Sequence, residues 1–299
     1  MKVELKKLTL LNGETMGYRE RSGGEEVLLL IHGNQSSSLQ WDVLLEKLDQ
    51  SYKVYAVDLR GFGTSTYHTS IQSLKDFSED LKLFADELGL DRFHLMGWSN
   101  GGGVAMQLAA DHPDYVQKLI LLASLSTRGY PMYKSSEAGV PITDVRLKTK
   151  EEITNDQGLQ STLEAMKNRD KPFMKKAWDF LVFSDNKPEE EQYERYLEDV
   201  FKQRNVVDVM DAANRFNISD EFNGLVDGTG EISQITAPVL VVWGTRDCLT
   251  PRYMTQEIVD DFRIYEKDVD AIYLDAGHSP LIDNPEELIK AMLDFLQKK

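Results

Sequence analysis

The pentapeptide Gly97-Trp98-Ser99-Asn100-Gly101 follows the apolar run Phe93-His94-Leu95-Met96 and precedes Gly102-Gly103-Val104-Ala105-Met106-Gln107-Leu108. A G-x-S-x-G pattern between a strand and a helix puts the serine on a sharp, strained turn with its Oγ exposed, as a nucleophile for acyl transfer requires. Small neighbours make such a turn tolerable, and the helix N-terminus beneath favours negative charge. Ser99 is the expected nucleophile.

A serine nucleophile needs a base and an acid to orient it, and in strand–serine–helix sites the acid and then the histidine follow the serine in the chain. Of His32, His68, His94, His112 and His278, only the last two follow Ser99. His112 sits in the helix-ending segment Asp111-His112-Pro113, before any suitable acid. His278 is therefore the expected base, in the loop Asp275-Ala276-Gly277-His278 leaving a short strand at 271–274. A loop histidine is more often an ordinary surface residue, but here that would leave Ser99 without a base.

The acid has several candidates. Pro238-Val239-Leu240-Val241-Val242-Trp243 reads as a buried parallel strand, and Gly244-Thr245-Arg246-Asp247 puts Asp247 at its carboxyl end, where open α/β sheets build their sites. Asp275 is the rival, three residues from His278 on the same loop, while Asp283 comes after the histidine. Asp247 is preferred. The oxyanion would receive the backbone N–H of Asn100 and, from the loop His32-Gly33-Asn34-Gln35-Ser36-Ser37-Ser38, that of Asn34. His32 is expected to bond loop backbone, and Ser36, Ser37 and Ser38 to form turns and helix caps.

These residues need an α/β framework. Strand signals recur near 27–31, 53–57, 93–97, 118–122, 239–243 and 271–274 with helical stretches between them, the pattern of a mostly parallel sheet with helices on both faces. Asn12-Gly13 between two alternating runs predicts a hairpin ahead of that sheet. The alternation stops between Leu122 and Pro238. Residues 125–235 read instead as an inserted helical cap, leaving 1–124 and 236–299 as the core. Pro172 would open a helix with Phe173, Ala177 and Phe180-Leu181 on one face. The cap aromatics, from Phe173 to Phe216, are expected mainly to form the cap's own core, with a few lining an acyl slot.

The loop Asp58-Leu59-Arg60-Gly61-Phe62-Gly63-Thr64-Ser65 is similar to the D-x-R-G-x-G-x-S loop of cap-bearing α/β-hydrolases, and with the elbow and the ordered acid and histidine the chain resembles that superfamily over nearly its whole length. His32-Gly33-Asn34 resembles the corresponding loop of haloalkane dehalogenases, which carry an aspartate where this chain has Ser99; the same departure argues against epoxide hydrolases. The elbow with Trp98 and Asn100 around the serine most resembles intracellular short-chain polyhydroxyalkanoate depolymerases. That resemblance implies hydrolysis of polyhydroxybutyrate or its oligomers and association with intracellular polyester granules. The alternatives are a small-molecule carboxylesterase, a carbon–carbon hydrolase of a dicarbonyl (favoured if an arginine meets a substrate carboxylate), and a non-enzymatic receptor or scaffold.

At 299 residues the chain can bury a sizeable core. The net charge of −16, more than half of it between Glu151 and Glu231, argues against nucleic acid or an anionic membrane surface as partner. No run approaches the length of a membrane span, and the start lacks the apolar stretch of a signal peptide. Cys248 is the only cysteine, which fits a reducing cytoplasm and reads as a small apolar filler. No metal-ligand spacing and no phosphate loop is present, so neither metal nor cofactor is expected.

Overall fold

Continuous apolar runs become the central strands. The computed structural model describes residues 2–137 and 139–298. In chain order the core begins with β1 (Val3–Thr9), β2 (Thr15–Arg21), β3 (Glu26–Ile31), α1 (Asp42–Lys47), β4 (Tyr52–Val57), α2 (Leu74–Glu87), β5 (Phe93–Trp98), α3 (Asn100–Asp111) and β6 (Val116–Leu122). An insert follows, with β7 (Tyr133–Ser135), β8 (Pro141–Arg146), α4 (Lys150–Thr154), α5 (Gln157–Asn168), α6 (Lys171–Leu181), α7 (Glu190–Val200) and α8 (Val206–Arg215). The core resumes with β9 (Val239–Gly244), α9 (Arg252–Ile264), β10 (Val269–Leu274), α10 (Pro280–Asp283) and α11 (Pro285–Leu296).

The eight-stranded sheet runs β1-β2-β4-β3-β5-β6-β9-β10. The expected hairpin forms at its edge, with β2 antiparallel to both neighbours, and the remaining pairings are parallel. Strand periodicity divides the core in two. Leu29, Ile31, Leu119, Leu121, Val239 and Val241 face α2, α3 and α9. Leu28, Leu30, Ile120, Leu122, Leu240 and Val242 face α1 and α11. This is the α/β-hydrolase fold.

Register decides where the loops gather. Ile31 pairs with both Val57 and Gly97, Trp98 with Leu122, Leu122 with Val242, and Gly244 with Leu274. The carboxyl ends of the central strands therefore lie along one edge, and β3 sends the chain to opposite sides, through β4 and β5. Crevices form at such switch points.

The insert differs from the sequence expectation in three ways. It contains the antiparallel pair β7–β8 as well as helices; β8 is almost wholly exposed and so carries no burial alternation to betray it. Its aromatics pack on one another, Phe183 meeting Trp178, Tyr193 and Tyr196, but not as a private core: all four are continuous with the core on the α1/α11 face, and Phe216 joins the other. On α6, Met174 and Trp178 are buried while Phe180 is 73% exposed, so Phe180 does not share the buried face.

Candidate active site

Ser99 follows β5 and caps α3 with φ +57° and ψ −122°, a left-handed φ that costs a non-glycine residue of order 1–3 kcal/mol. The flanking glycines let strand and helix come close enough to hold it there. A Cβ on Gly97 would lie 2.2 Å from the carbonyl oxygen of Gly101, and one on Gly101 2.4 Å from the carbonyl oxygens of Ile31 and His32. As first residue of α3, Asn100 has a backbone N–H with no partner inside the helix.

His278 follows β10 and is buried. Its Nδ1 lies 2.9 Å from Oδ2 of Asp247, which follows β9. With Asp247 ionised, Nδ1 is the donor, leaving Nε2 free to accept a proton. Thr250 fixes the carboxylate, its N–H reaching Oδ1 at 3.0 Å and its hydroxyl reaching Oδ2 at 2.6 Å; the N–H of Leu249 adds 2.8 Å to Oδ1. Burial raises the Asp247 carboxyl, but His278 and the Thr250 donors outweigh it and hold the group below its ordinary value. The indole N–H of Trp98 donates to the carbonyl oxygen of His278 at 2.9 Å, tying the residue before the serine to the histidine.

The other carboxylates lie elsewhere. Asp275 is exposed and pairs with Arg246. Asp283 accepts the N–H groups of Gly277 and Asn186 at 2.7 and 3.0 Å and braces the histidine loop. Cys248 is exposed, so it is not the apolar filler expected; its place in the turn after Asp247 faces it outward.

Gly33 brings the loop after β3 against Ser99: a Cβ there would lie 3.0 Å from Cβ and 3.5 Å from Oγ of Ser99. Behind it His32 bonds backbone, Nδ1 to the Gly33 carbonyl oxygen at 2.7 Å while Nε2 accepts the Leu59 N–H at 3.0 Å. Burial lowers its basicity. Ser37 caps the 3₁₀ turn Ser38–Trp41 by accepting the Leu39 N–H. Asp58 accepts the Ser38 N–H at 2.9 Å and the Thr64 N–H at 2.8 Å, joining the two glycine-bearing loops.

Gly33, Asn34, Ser99, Asn100 and His278 border one cavity of about 270 Å³. Its walls come from the insert, with Phe173, Ala177 and Leu181 on α6 and Val209, Met210 and Ala213 on α8. Among the described residues lining it there is no Lys, Arg, Asp or Glu. Nor do three His, Cys, Asp or Glu side chains converge to hold a metal ion among the described residues. Sequence reasoning missed Thr250, the Trp98 indole contact and Gln203, which bonds Asn34 and Gln35 from the insert. Only Thr250 had a usable local signal, three residues after the acid.

Residues 26–285 match the model of a family described as the alpha/beta hydrolase fold. A 2-hydroxy-6-oxononadienedioate/2-hydroxy-6-oxononatrienedioate hydrolase from Paraburkholderia phymatum is 25% identical, the match covering 97% of this chain and 95% of that one. A pimeloyl-[acyl-carrier protein] methyl ester esterase from Aliivibrio salmonicida is 26% identical over 94% of this chain and 95% of its own length. A shorter match, 35% identical, spans 40% of this chain and 31% of the dihydrolipoyllysine-residue acetyltransferase component of the acetoin cleaving system of Cupriavidus necator. Among solved structures, an esterase from Exiguobacterium antarcticum shares the fold at a TM-score of 0.74 and 17% identity, over 98% of this chain and 99% of that one. No helix among the described residues is long and apolar enough to cross a membrane.

Proposed function

The chain belongs to the α/β-hydrolase fold family, and from that premise we propose that it is a serine hydrolase of uncharged carboxylic esters, with Ser99 as nucleophile, His278 as base and Asp247 as the acid that orients it. The observation that carries the reading is a strained serine bordering the same cavity as a histidine already bonded to a buried aspartate.

Ser99 Oγ adds to the ester carbonyl carbon as His278 Nε2 takes its proton. The carbonyl oxygen becomes an oxyanion that accepts the N–H groups of Asn34 and Asn100. Collapse breaks the bond to the alcohol oxygen, which leaves with the proton held by His278. Water then adds to the acyl-enzyme with the same base, releasing the acid and restoring Ser99. The insert 125–235 acts as the cap that shields this exchange from bulk water.

The apolar, uncharged lining supports a neutral acyl group, because burying a carboxylate there without a partner costs several kcal/mol. A dioate of the kind named for the Paraburkholderia relative carries two carboxylates, and no cationic side chain among the described lining residues receives one. Within the ester class, the resemblance at Trp98 and Asn100 supports short hydroxyacyl esters, polyhydroxybutyrate and its oligomers included. The exposed Phe173 and Phe180 give the cap an apolar rim for a polyester granule. The single cysteine agrees with work in the cytoplasm.

The experiment is hydrolysis of p-nitrophenyl butyrate beside p-nitrophenyl hemisuccinate, with Ser99→Ala as control. Butyrate is turned over, hemisuccinate falls by about 10²-fold or more in kcat/KM, and Ser99→Ala loses about 10⁴–10⁶ in turnover. Near wild-type turnover by Ser99→Ala would overturn the mechanism; equal use of both esters would overturn the substrate class.

A further inference from the structure

We infer that Gln203, carried by the insert, is a positioning residue for the oxyanion loop, so that seating of the cap and stabilisation of the oxyanion are coupled through its side chain. The inference rests on the reading of Ser99 and Asn34 given above.

The loop after β3 is not at rest by itself. Gln35 has φ +54°, in the left-handed region that a residue with a Cβ avoids. Such a conformation persists only where its surroundings impose it. At Gln35 the imposed contact is a carboxamide, while further along the loop Ser37 is tied to Asp199 of α7 and Ser38 to Asp58. Gln203 Oε1 accepts the Gln35 N–H at 3.0 Å, while its Nε2 donates to the Asn34 side-chain oxygen at 2.8 Å and to Asn205 Oδ1 at 3.2 Å. Acceptor and donors are thus engaged on consecutive residues of the loop, and Gln203 is only 7% exposed, so water does not compete freely for them.

Gln203 is itself held from the core side. The N–H of Arg204 reaches the Gly61 carbonyl oxygen at 2.9 Å, and Asn205 Nδ2 reaches the Arg60 carbonyl oxygen at 2.7 Å. That packing is tight: a Cβ on Gly61 would lie 2.4 Å from Asn205 Nδ2. The turn after α7 is therefore a fixed post, and the clasp transmits its position to the loop. Without the clasp, Gln35 can relax to negative φ, which turns the Asn34–Gln35 peptide, and the Asn34 side chain loses its anchor, so the residue that carries the oxyanion N–H is no longer fixed from the insert. An oxyanion donor contributes only when it is already aimed.

The test is Gln203→Met, which keeps length and removes both hydrogen-bonding functions. The control is Arg204→Met, in the same turn, which removes contacts to the Ser65 and Lys202 carbonyl oxygens without touching the loop. We expect Gln203→Met to lower kcat for a butyrate ester about 10- to 100-fold, a fraction of the loss of a whole oxyanion donor, with KM within twofold. Affinity for an alkyl boronic acid, which mimics the tetrahedral oxyanion, falls by the same factor. Arg204→Met should lower Tm and leave kcat and boronate affinity unchanged. Gln203→Glu, which retains an acceptor for the Gln35 N–H, should keep more of kcat than Gln203→Met; it carries the same readouts if the methionine variant does not fold. Unchanged kcat in the position-203 variants, or an equal loss in Arg204→Met, overturns the inference. Failure of the site reading itself is seen separately, as full turnover by Ser99→Ala.

Discussion

His278 and Asp247 meet through one hydrogen bond, Nδ1 to Oδ2 at 2.9 Å, across 31 residues and two neighbouring strands. Asp275, three residues from His278, points into solvent and pairs with Arg246 instead. The sheet, rather than proximity in the chain, selects the partner.

That relationship sets a ranking. Asp247→Asn leaves His278 in the wrong tautomer and should cost about 10⁴ in kcat on a butyrate ester. Asp275→Asn removes only a surface ion pair, which contributes little, and should stay within about twofold. Steady-state kinetics of the two variants check this, and a larger loss in Asp275→Asn would move the acid to that position.

The same carboxylate has a pH signature in stability. Burial raises Asp247, yet the His278 and Thr250 contacts hold it below its ordinary value. A carboxyl depressed in the folded state contributes stability that is complete above its unfolded pKa, about 3.9, and is lost as pH falls through the folded one. The stability gap between wild type and Asp247→Asn should therefore narrow as pH falls below about 4. Urea titrations across that window check it; a gap that widens on acidification contradicts the assignment.

The elbow and the sheet were legible because their signals are local. Phe93–Trp98 and Val239–Gly244 are fully buried strands and read as such from consecutive apolar residues. Asp247 and His278 needed only the order of strands and loops. Gln203 left no trace, because its partners Asn34 and Gln35 lie 169 and 168 residues away, and a glutamine in a charged segment looks like surface. Phe180 misled for the opposite reason: an aromatic beside Leu181 suggests core, but the helix rotates it outward.

The Asp58–Ser65 loop carries a buried ion pair, with Arg60 Nε reaching Asp80 Oδ2 at 2.7 Å and Nη2 reaching Oδ1 at 2.5 Å. Both side chains are nearly inaccessible. Arg60→Met strands the Asp80 charge in the core and should destabilise by about 3–5 kcal/mol. Replacing both, as Arg60→Met with Asp80→Leu, should recover part of that, because an apolar pair avoids desolvating two charges while the buried Glu14, 4.0 Å from Arg60 Nε, still loses its cation. Urea denaturation of both variants checks the ordering. A double variant no more stable than the single one would mean that the pair, and not the stranded charge, sets the cost.

The polymer arm of the proposed function separates two substrates of the same chemistry. Polyhydroxybutyrate offers uncharged short hydroxyacyl esters that suit a cavity whose described lining has no charged side chain. A chain end must pass the cap, and a granule must dock. With a net charge of −16, docking gains nothing from electrostatics on an acidic or neutral surface and depends on exposed apolar groups. Phe180, 73% exposed on the outside of α6, and Phe173, 39% exposed and reaching the cavity, are placed for that role. The enzyme should release 3-hydroxybutyrate or short oligomers from amorphous polyhydroxybutyrate and prefer butyryl to palmitoyl esters. Phe180→Ser should cut polymer release several-fold and leave p-nitrophenyl butyrate turnover unchanged, since its ring lies away from the cavity lining. Active butyrate hydrolysis with no release from amorphous polymer would leave a carboxylesterase of small esters, and equal loss on both substrates in Phe180→Ser would place that ring in the cap's packing instead of at a docking surface.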